Sequence, residues 1–265
     1  TGIELPGIMV LKSLSDGIRM REYIDSQKPS NAVIIGAGLI GLELAEAFVK
    51  RGIKVTLVEK FDGVAPAFSE EFRKIIGKTL SDNGVNLVTG AGILSIKGNT
   101  GNFSVETDKA VLTTQLVVVS TGVRPNTVFL KDSGLEMLPN GSVVVDEMCR
   151  TSVQDVWAAG DCATVKNLIT GKNEFMPIAT NANKQGRVAG LQAAGVNTEI
   201  FKGATGTQMV KIFELEAAKT GFNRQDAAKH GIDVIEEFIE WKSRAGYYPG
   251  TQPLSIKLTV RADNR

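Results

Sequence analysis

The stretch that most limits what this chain can become runs from Asn31 to Glu59, NAVIIGAGLIGLELAEAFVKRGIKVTLVE. Its apolar run Ala32–Ile35 is short and rich in β-branched residues, as befits a strand buried on both faces. Gly36, Gly38 and Gly41 follow at once in the spacing G-x-G-x-x-G. A helical pattern comes next, with Ile40, Leu44, Ala47 and Phe48 expected on one inward face. Arg51-Gly52 closes that helix with a cation in its last turn and a glycine just beyond. Ile53–Val58 reads as a second strand, and it delivers Glu59, 18 residues past Gly41.

Each part has a physical task. Gly36 permits the tight turn, Gly38 lets backbone approach a pyrophosphate with no Cβ between, and Gly41 allows close helix–strand packing. The helix N-terminus at Leu39 and Ile40 offers unpaired N–H groups and a positive dipole end to phosphate. Glu59 can accept hydrogen bonds from both hydroxyls of an adenosine ribose, which favours NADH over the 2′-phosphorylated form, with adjacent Lys60 softening the bias. The glycine spacing alone says little. Strand, glycines, helix, strand and acid in this order predict a dinucleotide site.

The 265 residues exceed one ordinary core, so two or three subdomains are expected. A formal net charge of +1 gives no electrostatic footprint for nucleic acid or an anionic membrane. No apolar run approaches the ~20 residues of a membrane span, and no signal-peptide pattern opens the chain. Cys149, Cys162 and the single His230 lack metal-ligand spacing, so no metal is expected, and two unpaired cysteines suit a reducing cytoplasm. The chain opens on Thr1 without a methionine, from which we expect the gene to begin earlier.

Read in order, residues 1–30 form a lead-in, extended at first and then helical to about Gln27, with Ser15 or Asp16 as the cap. Beyond Glu59, Ser69 caps a second helix whose inward face carries Phe72, Ile75, Ile76, Thr79 and Leu80. A third strand at Val85–Val88 leads into a small antiparallel meander over Ile93–Lys97, Phe103–Glu106 and Ala110–Leu112. Leu116–Ser120 is again a buried type of strand, ending in Thr121-Gly122, so residues 31–122 form one mononucleotide-fold domain. Two further strands are expected, Ser142–Val145 and one ending at Ala159-Gly160-Asp161. Asp161 could hydrogen-bond a polyol or simply cap a turn. A helix from Thr180 to about Ala194 carries small residues, Ala182, Gly186, Ala189 and Gly190, apt for close packing. From Thr205 onward strands at Met209–Phe213, Ile235–Trp241 and Leu254–Val260, with a helix at Arg224–His230, suggest an α+β subdomain.

These motifs resemble those of the FAD- and NAD(P)-dependent pyridine nucleotide–disulfide oxidoreductases, in the branch of CoA-disulfide reductases, NADH oxidases and NADH peroxidases. Thr121-Gly122-Val123-Arg124-Pro125-Asn126 matches the turn that leaves that family's NAD domain, and Thr151–Asp161 matches its second flavin motif. Met176–Arg187 looks like the helix whose N-terminus, at Ala179 and Thr180, points at the flavin pyrimidine edge. Thr220-Gly221 and Gly246-Tyr247-Tyr248-Pro249-Gly250 are similar to its dimerisation domain.

The resemblance implies a Rossmann-like NAD(P)-binding α/β fold with part of an FAD domain. Residues 1–30 would be a lead-in from the FAD domain, 31–122 the NAD(P)H domain, 123–200 the C-terminal portion of the FAD domain and 201–265 the start of a dimerisation domain. It implies that Gly160 and Asp161 hold the flavin ribityl chain and that Glu43 lies close to nicotinamide and flavin. Leu39 stands where many relatives carry an aromatic gate. A first G-x-G-x-x-G unit and a redox cysteine are expected upstream of Thr1, and neither present cysteine is expected to be catalytic. The implied enzyme moves hydride from NADH to FAD, then to a small disulfide, peroxide or oxygen, as a homodimer. The alternatives are a cysteine-independent ferredoxin- or rubredoxin-type reductase and a non-catalytic NAD-binding module.

Overall fold

A computed structural model describes residues 1–196 and 198–263. Asn197, in the expected 123–200 portion, and Asn264 and Arg265, closing the 201–265 segment, lie outside the described residues. The organising layer is a five-stranded parallel sheet built from β1 (Ile8–Val10), β2 (Asn31–Ile35), β3 (Lys54–Val58), β4 (Asn86–Val88) and, placed later in the chain, β8 (Leu116–Val119). Its order is β1-β8-β2-β3-β4. The chain steps from β2 outward to β3 and β4 on one side, and β8 returns to the other side of β2. That reversal makes the gap between the carboxyl ends of β2 and β8 the topological switch point, where open α/β sheets place their ligands.

Side chains alternate across β2, so its two faces seed two cores. Ala32 and Ile34 pack with Leu42, Phe48, Leu57, Leu80, Leu116 and Val118 under α1 (Leu14–Gln27), α2 (Leu39–Lys50) and α3 (Glu70–Asp82). Val33 and Ile35 pack on the other face with Val117 and Val119, beneath Phe103 and Val105 of an antiparallel meander, β5 (Ile93–Asn99), β6 (Asn102–Thr107) and β7 (Val111–Thr114). The expected meander is therefore present, and it covers the face that the helices leave bare.

Several local expectations need correction. Residues 1–30 are more than a lead-in, because β1 adds an edge strand to the sheet and α1 sends Met20 and Ile24 into its core. The cap of α1 is Ser13, not Ser15 or Asp16: Ser13 Oγ accepts the Asp16 N–H and Asp16 returns to the Ser13 N–H, a closed capping box. The buried face of α2 is Gly41, Leu42, Leu44, Ala45 and Phe48, while Ile40 and Ala47 are exposed. Ser69 occupies the N-cap of α3, but its hydroxyl makes no capping hydrogen bond.

The remaining chain is more irregular. Ser142–Val145 and Trp157–Gly160 are not strands, because Val143 meets only Met137 and Ala163, and Trp157 only Arg150, in isolated bridges between turns. A short pair, β9 (Val165–Lys166) and β10 (Asn173–Glu174), precedes α4 (Ala179–Ala193). The hairpin β11 (Gln208–Ile212) and β12 (Leu215–Lys219), the latter not anticipated, docks on α2 and α3. Val210, Ile212 and Phe213 join the main core, and the Phe213 N–H donates to Glu46 Oε2 of α2 at 2.8 Å. After α5 (Arg224–Lys229) a long hairpin, β13 (Val234–Lys242) with β14 (Pro253–Arg261), lies on α3. Phe238 meets Phe72 edge-on at 5.8 Å, and Lys257 sits between Glu71 and Glu236 at 3.0 Å from each.

The capping box carries a pH signature. The Ser13 hydroxyl, the Lys12 amide and Arg19 together hold the Asp16 carboxyl at about 2, below its ordinary 3.8. A depressed folded pKa stabilises above the unfolded pKa, and the contribution fades as pH falls through the folded value. Between pH 3.8 and about 2 the wild-type thermal midpoint should therefore fall more steeply than that of Asp16→Asn, and parallel curves would remove this role from Asp16.

Candidate functional site

The carboxyl ends of the three central strands are level, with Ile35 paired to both Val58 and Val119. Gly36, Glu59 and Ser120 therefore leave the sheet side by side. Gly36 has φ +104°, and a Cβ there would lie 2.6 Å from the Ser120 carbonyl oxygen, so only glycine fits this turn. Its N–H donates to the Val58 carbonyl at 2.8 Å and its own carbonyl accepts from Ser120 Oγ at 2.9 Å. Gly41 lies against the same turn, where a Cβ would overlap the Gly36 carbonyl. Gly38 differs: it is the N-cap of α2, without a side-chain cap, and a Cβ there would meet nothing within 4 Å. The first-turn amides of α2 lie beyond the helix's own ladder and open on that space, which fits a phosphate.

Glu59 closes the arrangement. It is 7% exposed, its Oε2 accepts the Ala37 N–H at 2.7 Å and its Oε1 accepts the Phe61 N–H at 3.0 Å. The Ala37 carbonyl in turn accepts the Ala65 N–H at 2.9 Å, so the residue between the first two glycines is held from both sides. Each carboxylate oxygen keeps lone-pair capacity for a ribose hydroxyl. Gly122 follows Ser120 on the far side of the crevice, Leu39 is half-buried, and Ile40 and Glu43 are exposed along the start of α2. Ile40 is absent from the core because it stands at the helix end that faces the crevice.

Gly160, Asp161, Ala179 and Thr180 form a second group. Gly160 takes φ +82°, and its N–H donates to Gln185 Oε1 at 3.1 Å. Gln185, 2% exposed on α4, donates from Nε2 to the Thr164 carbonyl at 2.7 Å and so clamps the Gly160–Asp161 turn to the helix. Ala182 lies beneath Gly160. Asp161 is exposed, and among the described residues no protein donor reaches its carboxylate. Ala179 and Thr180 open α4 without a side-chain cap. Strand-free turn, free carboxylate and uncapped helix end suit the polyol chain and ring edge of a flavin. No hydrogen bond among the described residues joins this group to the glycine loop.

Gln185 escaped the sequence reading, which looked to small residues on α4. The buried face is instead Asn181, Gln185, Val188 and Gln192, while Gly186 and Gly190 are exposed. A run of uncharged amides at helical spacing was the available signal. Cys149 is fully buried beside the Gln185 carbonyl, and burial with nearby Asp146 pushes its thiol up to about 11. It is no thiolate at neutral pH, and a redox role there has no support. Cys162 Sγ rests 3.3 Å from the Ala159 carbonyl. Among the described residues no cluster of three His, Cys, Asp or Glu could hold a metal, and no helix is long and apolar enough to cross a membrane.

The glycines separate folding from binding. Gly36→Ala should lower stability by about 1–3 kcal/mol, since its Cβ meets backbone. Gly38→Ala should leave the melting temperature in place yet weaken NADH binding, as its Cβ enters the open cradle. Equal losses of stability in calorimetry would refute this division.

Comparison with known proteins bears on the family of the chain. The chain is 38% identical over 260 residues to an NAD(P)H sulfur oxidoreductase (CoA-dependent) of Pyrococcus furiosus, covering 98% of this chain and 58% of that protein. It superimposes on an NAD-dependent persulfide reductase from A. fulgidus with TM-score 0.93 and 34% identity, over 99% of this chain and 48% of the other. A water-forming NADH oxidase from Lactobacillus brevis, solved bound to NADH, gives TM-score 0.91 and 30% identity over 97% and 57%. The chain thus spans 48–58% of the length of these proteins. A family model described as pyridine nucleotide-disulphide oxidoreductase takes in residues 3–186, from the approach to β1 to the middle of α4 and so across both groups of residues; the chain belongs to that family.

Proposed function

We propose that the protein works as a flavin-dependent reductase that draws hydride from NADH through FAD and passes the electrons to a small disulfide or persulfide of the coenzyme A class. The carrying observation is the glycine loop closed by a buried Glu59 carboxylate. Peroxide and oxygen are the competing acceptors, oxygen being favoured by the likeness to a water-forming NADH oxidase. In this reading residues 31–122, completed by β1 and α1 from residues 1–30, bind NADH, 123–200 belong to the FAD domain and 201–265 open the dimerisation domain.

The chain's own residues would bind and orient. Amides at the start of α2 receive the pyrophosphate, and Glu59 takes the ribose hydroxyls. Glu43, exposed on α2, stands toward the nicotinamide, and Gly122 leaves the opposite wall low. Asp161 would hold the ribityl hydroxyls, with the α4 N-terminus at Ala179 and Thr180 set toward the ring's polar edge. Bound flavin supplies the hydride-accepting and electron-releasing chemistry. Two unpaired thiols fit a reducing cytoplasm. Oxidation of NADH by the protein as its gene encodes it, compared with coenzyme A disulfide, polysulfide, peroxide and oxygen in turn, tests the acceptor. Turnover with oxygen alone would replace the sulfur reading by the oxidase one.

The acid should set cofactor choice. A 2′-phosphate placed against Glu59 sets like charges together, at roughly 1–4 kcal/mol for a contact near a protein surface. NADH should therefore bind at least about tenfold tighter than NADPH, even with Lys60 adjacent. Equal dissociation constants in titration would remove this role from Glu59.

The terminal hairpin supports a homodimer. The face of β13–β14 turned from α3 carries Ile235, Ile239, Trp241, Leu254, Ile256, Leu258 and Val260, all exposed, with Glu237 the single charge. Tyr247 and Tyr248, exposed and 4.9 Å apart at the ring centroids, lie in the loop that joins the two strands. An apolar face of this extent suits a two-fold contact with a second copy. Light scattering at micromolar concentration should give twice the monomer mass, and a monomer would remove the assignment.

A further inference from the structure

We propose that Phe61 is the platform on which the purine base of the dinucleotide stacks, and so determines affinity for the adenosine half. The inference rests on the reading of the glycine loop and Glu59 as an NADH site. Residues 59–61 continue β3 past the sheet alongside 88–91. The Glu59 N–H donates to the Val88 carbonyl, the Ala91 N–H to the Glu59 carbonyl and the Gly90 N–H to the Phe61 carbonyl, each at 2.9 Å. The Phe61 N–H is the group taken by Glu59 Oε1. The backbone of Phe61 is therefore held at both its donor and its acceptor, one of them by the carboxylate expected to take the ribose.

The side chain does the opposite. The segment beyond it is anchored inward: Val64 and Ala65 are buried, and the Arg73 guanidinium donates to the Gly63 and Val64 carbonyls. Yet the Phe61 ring is 57% exposed. A rigid backbone that presents a bare aromatic ring beyond a ribose-binding acid is a preorganised surface for a flat ligand. The strand order also gives the direction. Across the carboxyl edge lie, in sequence of strands, Val123 after β8, Ile40 at the start of α2 beside β2, and Phe61 after β3, each with an exposed side chain. With pyrophosphate at the glycine loop and ribose at Glu59, the base falls on the β3–β4 side, where Phe61 stands. The nicotinamide falls on the other side, near Gly122.

Purines reach such a site from two sources, because coenzyme A also carries adenine. Its ribose bears a 3′-phosphate, which would meet the Glu59 carboxylate, so the site should take the dinucleotide. Base stacking on an aromatic ring is worth ~1–3 kcal/mol by alanine substitution, or about 5- to 150-fold in affinity. The test is calorimetric titration of the intact chain and its Phe61→Ala, Phe61→Leu and Phe61→Trp variants with 5′-AMP, reduced nicotinamide mononucleotide, NADH and coenzyme A. We expect Phe61→Ala to weaken 5′-AMP and NADH about tenfold. Reduced nicotinamide mononucleotide should be unaffected, Phe61→Leu should recover little and Phe61→Trp should restore binding. The melting temperature should hold throughout, since the ring is outside the core. Wild-type binding of NADH and 5′-AMP with no change in Phe61→Ala would overturn the platform alone, as would selective loss of the nicotinamide half or coenzyme A displacing NADH from this site. A wild-type chain that binds neither NADH nor 5′-AMP would overturn the NADH reading and the platform with it.

Discussion

A carboxylate buried at the end of a strand is costly unless donors are aimed at it. Glu59 meets that demand with the Ala37 and Phe61 amides, and the site is built around the result. One hydrogen bond ties the glycine turn after β2 to the end of β3, and the other fixes where the chain goes next. The acid thus shapes the crevice through its own two backbone contacts. It can do so only because Ile35 and Val58 end level, and register in a parallel sheet is set by burial on both faces.

That burial comes from two different coverings. Helices lie over one face of β2 and the meander over the other, so every residue from Ala32 to Ile35 is enclosed. Helices alone would leave Val33, Ile35, Val117 and Val119 in water. The meander is inserted between β4 and β8, and the chain that leaves it returns as β8 beside β2 rather than beyond β4. The switch point lies where that return reverses the strand order.

Legibility in the sequence followed the range of the interactions. The strand–glycine–helix–strand–acid order was readable because each part acts on near neighbours: Gly36 on its own turn, Gly38 on the helix start, Glu59 on a strand end. The meander was readable from alternation and turn residues, and so were the two strands of the last hairpin, though not their pairing. The strands expected at Ser142–Val145 and before Gly160 failed because apolar alternation signals burial, whereas a strand also needs a continuous neighbour, and here each residue finds a different one. The inward face of α2 was misjudged for a related reason. Apolar character cannot tell Ile40, at the crevice, from Leu44, in the core. The amide spacing on α4 marks Gln185 as inward-facing, but its two partners, at Gly160 and Thr164, are brought to it only by the folded chain.

Helix α2 shows how tightly these demands converge. Leu42, Leu44, Ala45 and Phe48 fill the sheet core, its first turn opens on the crevice, and Glu46 receives the amide of Phe213 from β11–β12. Phe213 itself takes φ +51°, a strained setting for an aromatic residue, and it is held there by that carboxylate and by burial. Glu46 lies below its ordinary pKa despite burial, through Lys50 and the Phe213 amide, so the anchor stays charged at neutral pH. The helix that opens on the crevice is therefore held between the sheet and the β11–β12 hairpin. Any shift of α2 along its axis would draw on the Phe213 amide, so one hydrogen bond couples the crevice end of the sheet to the β11–β12 hairpin.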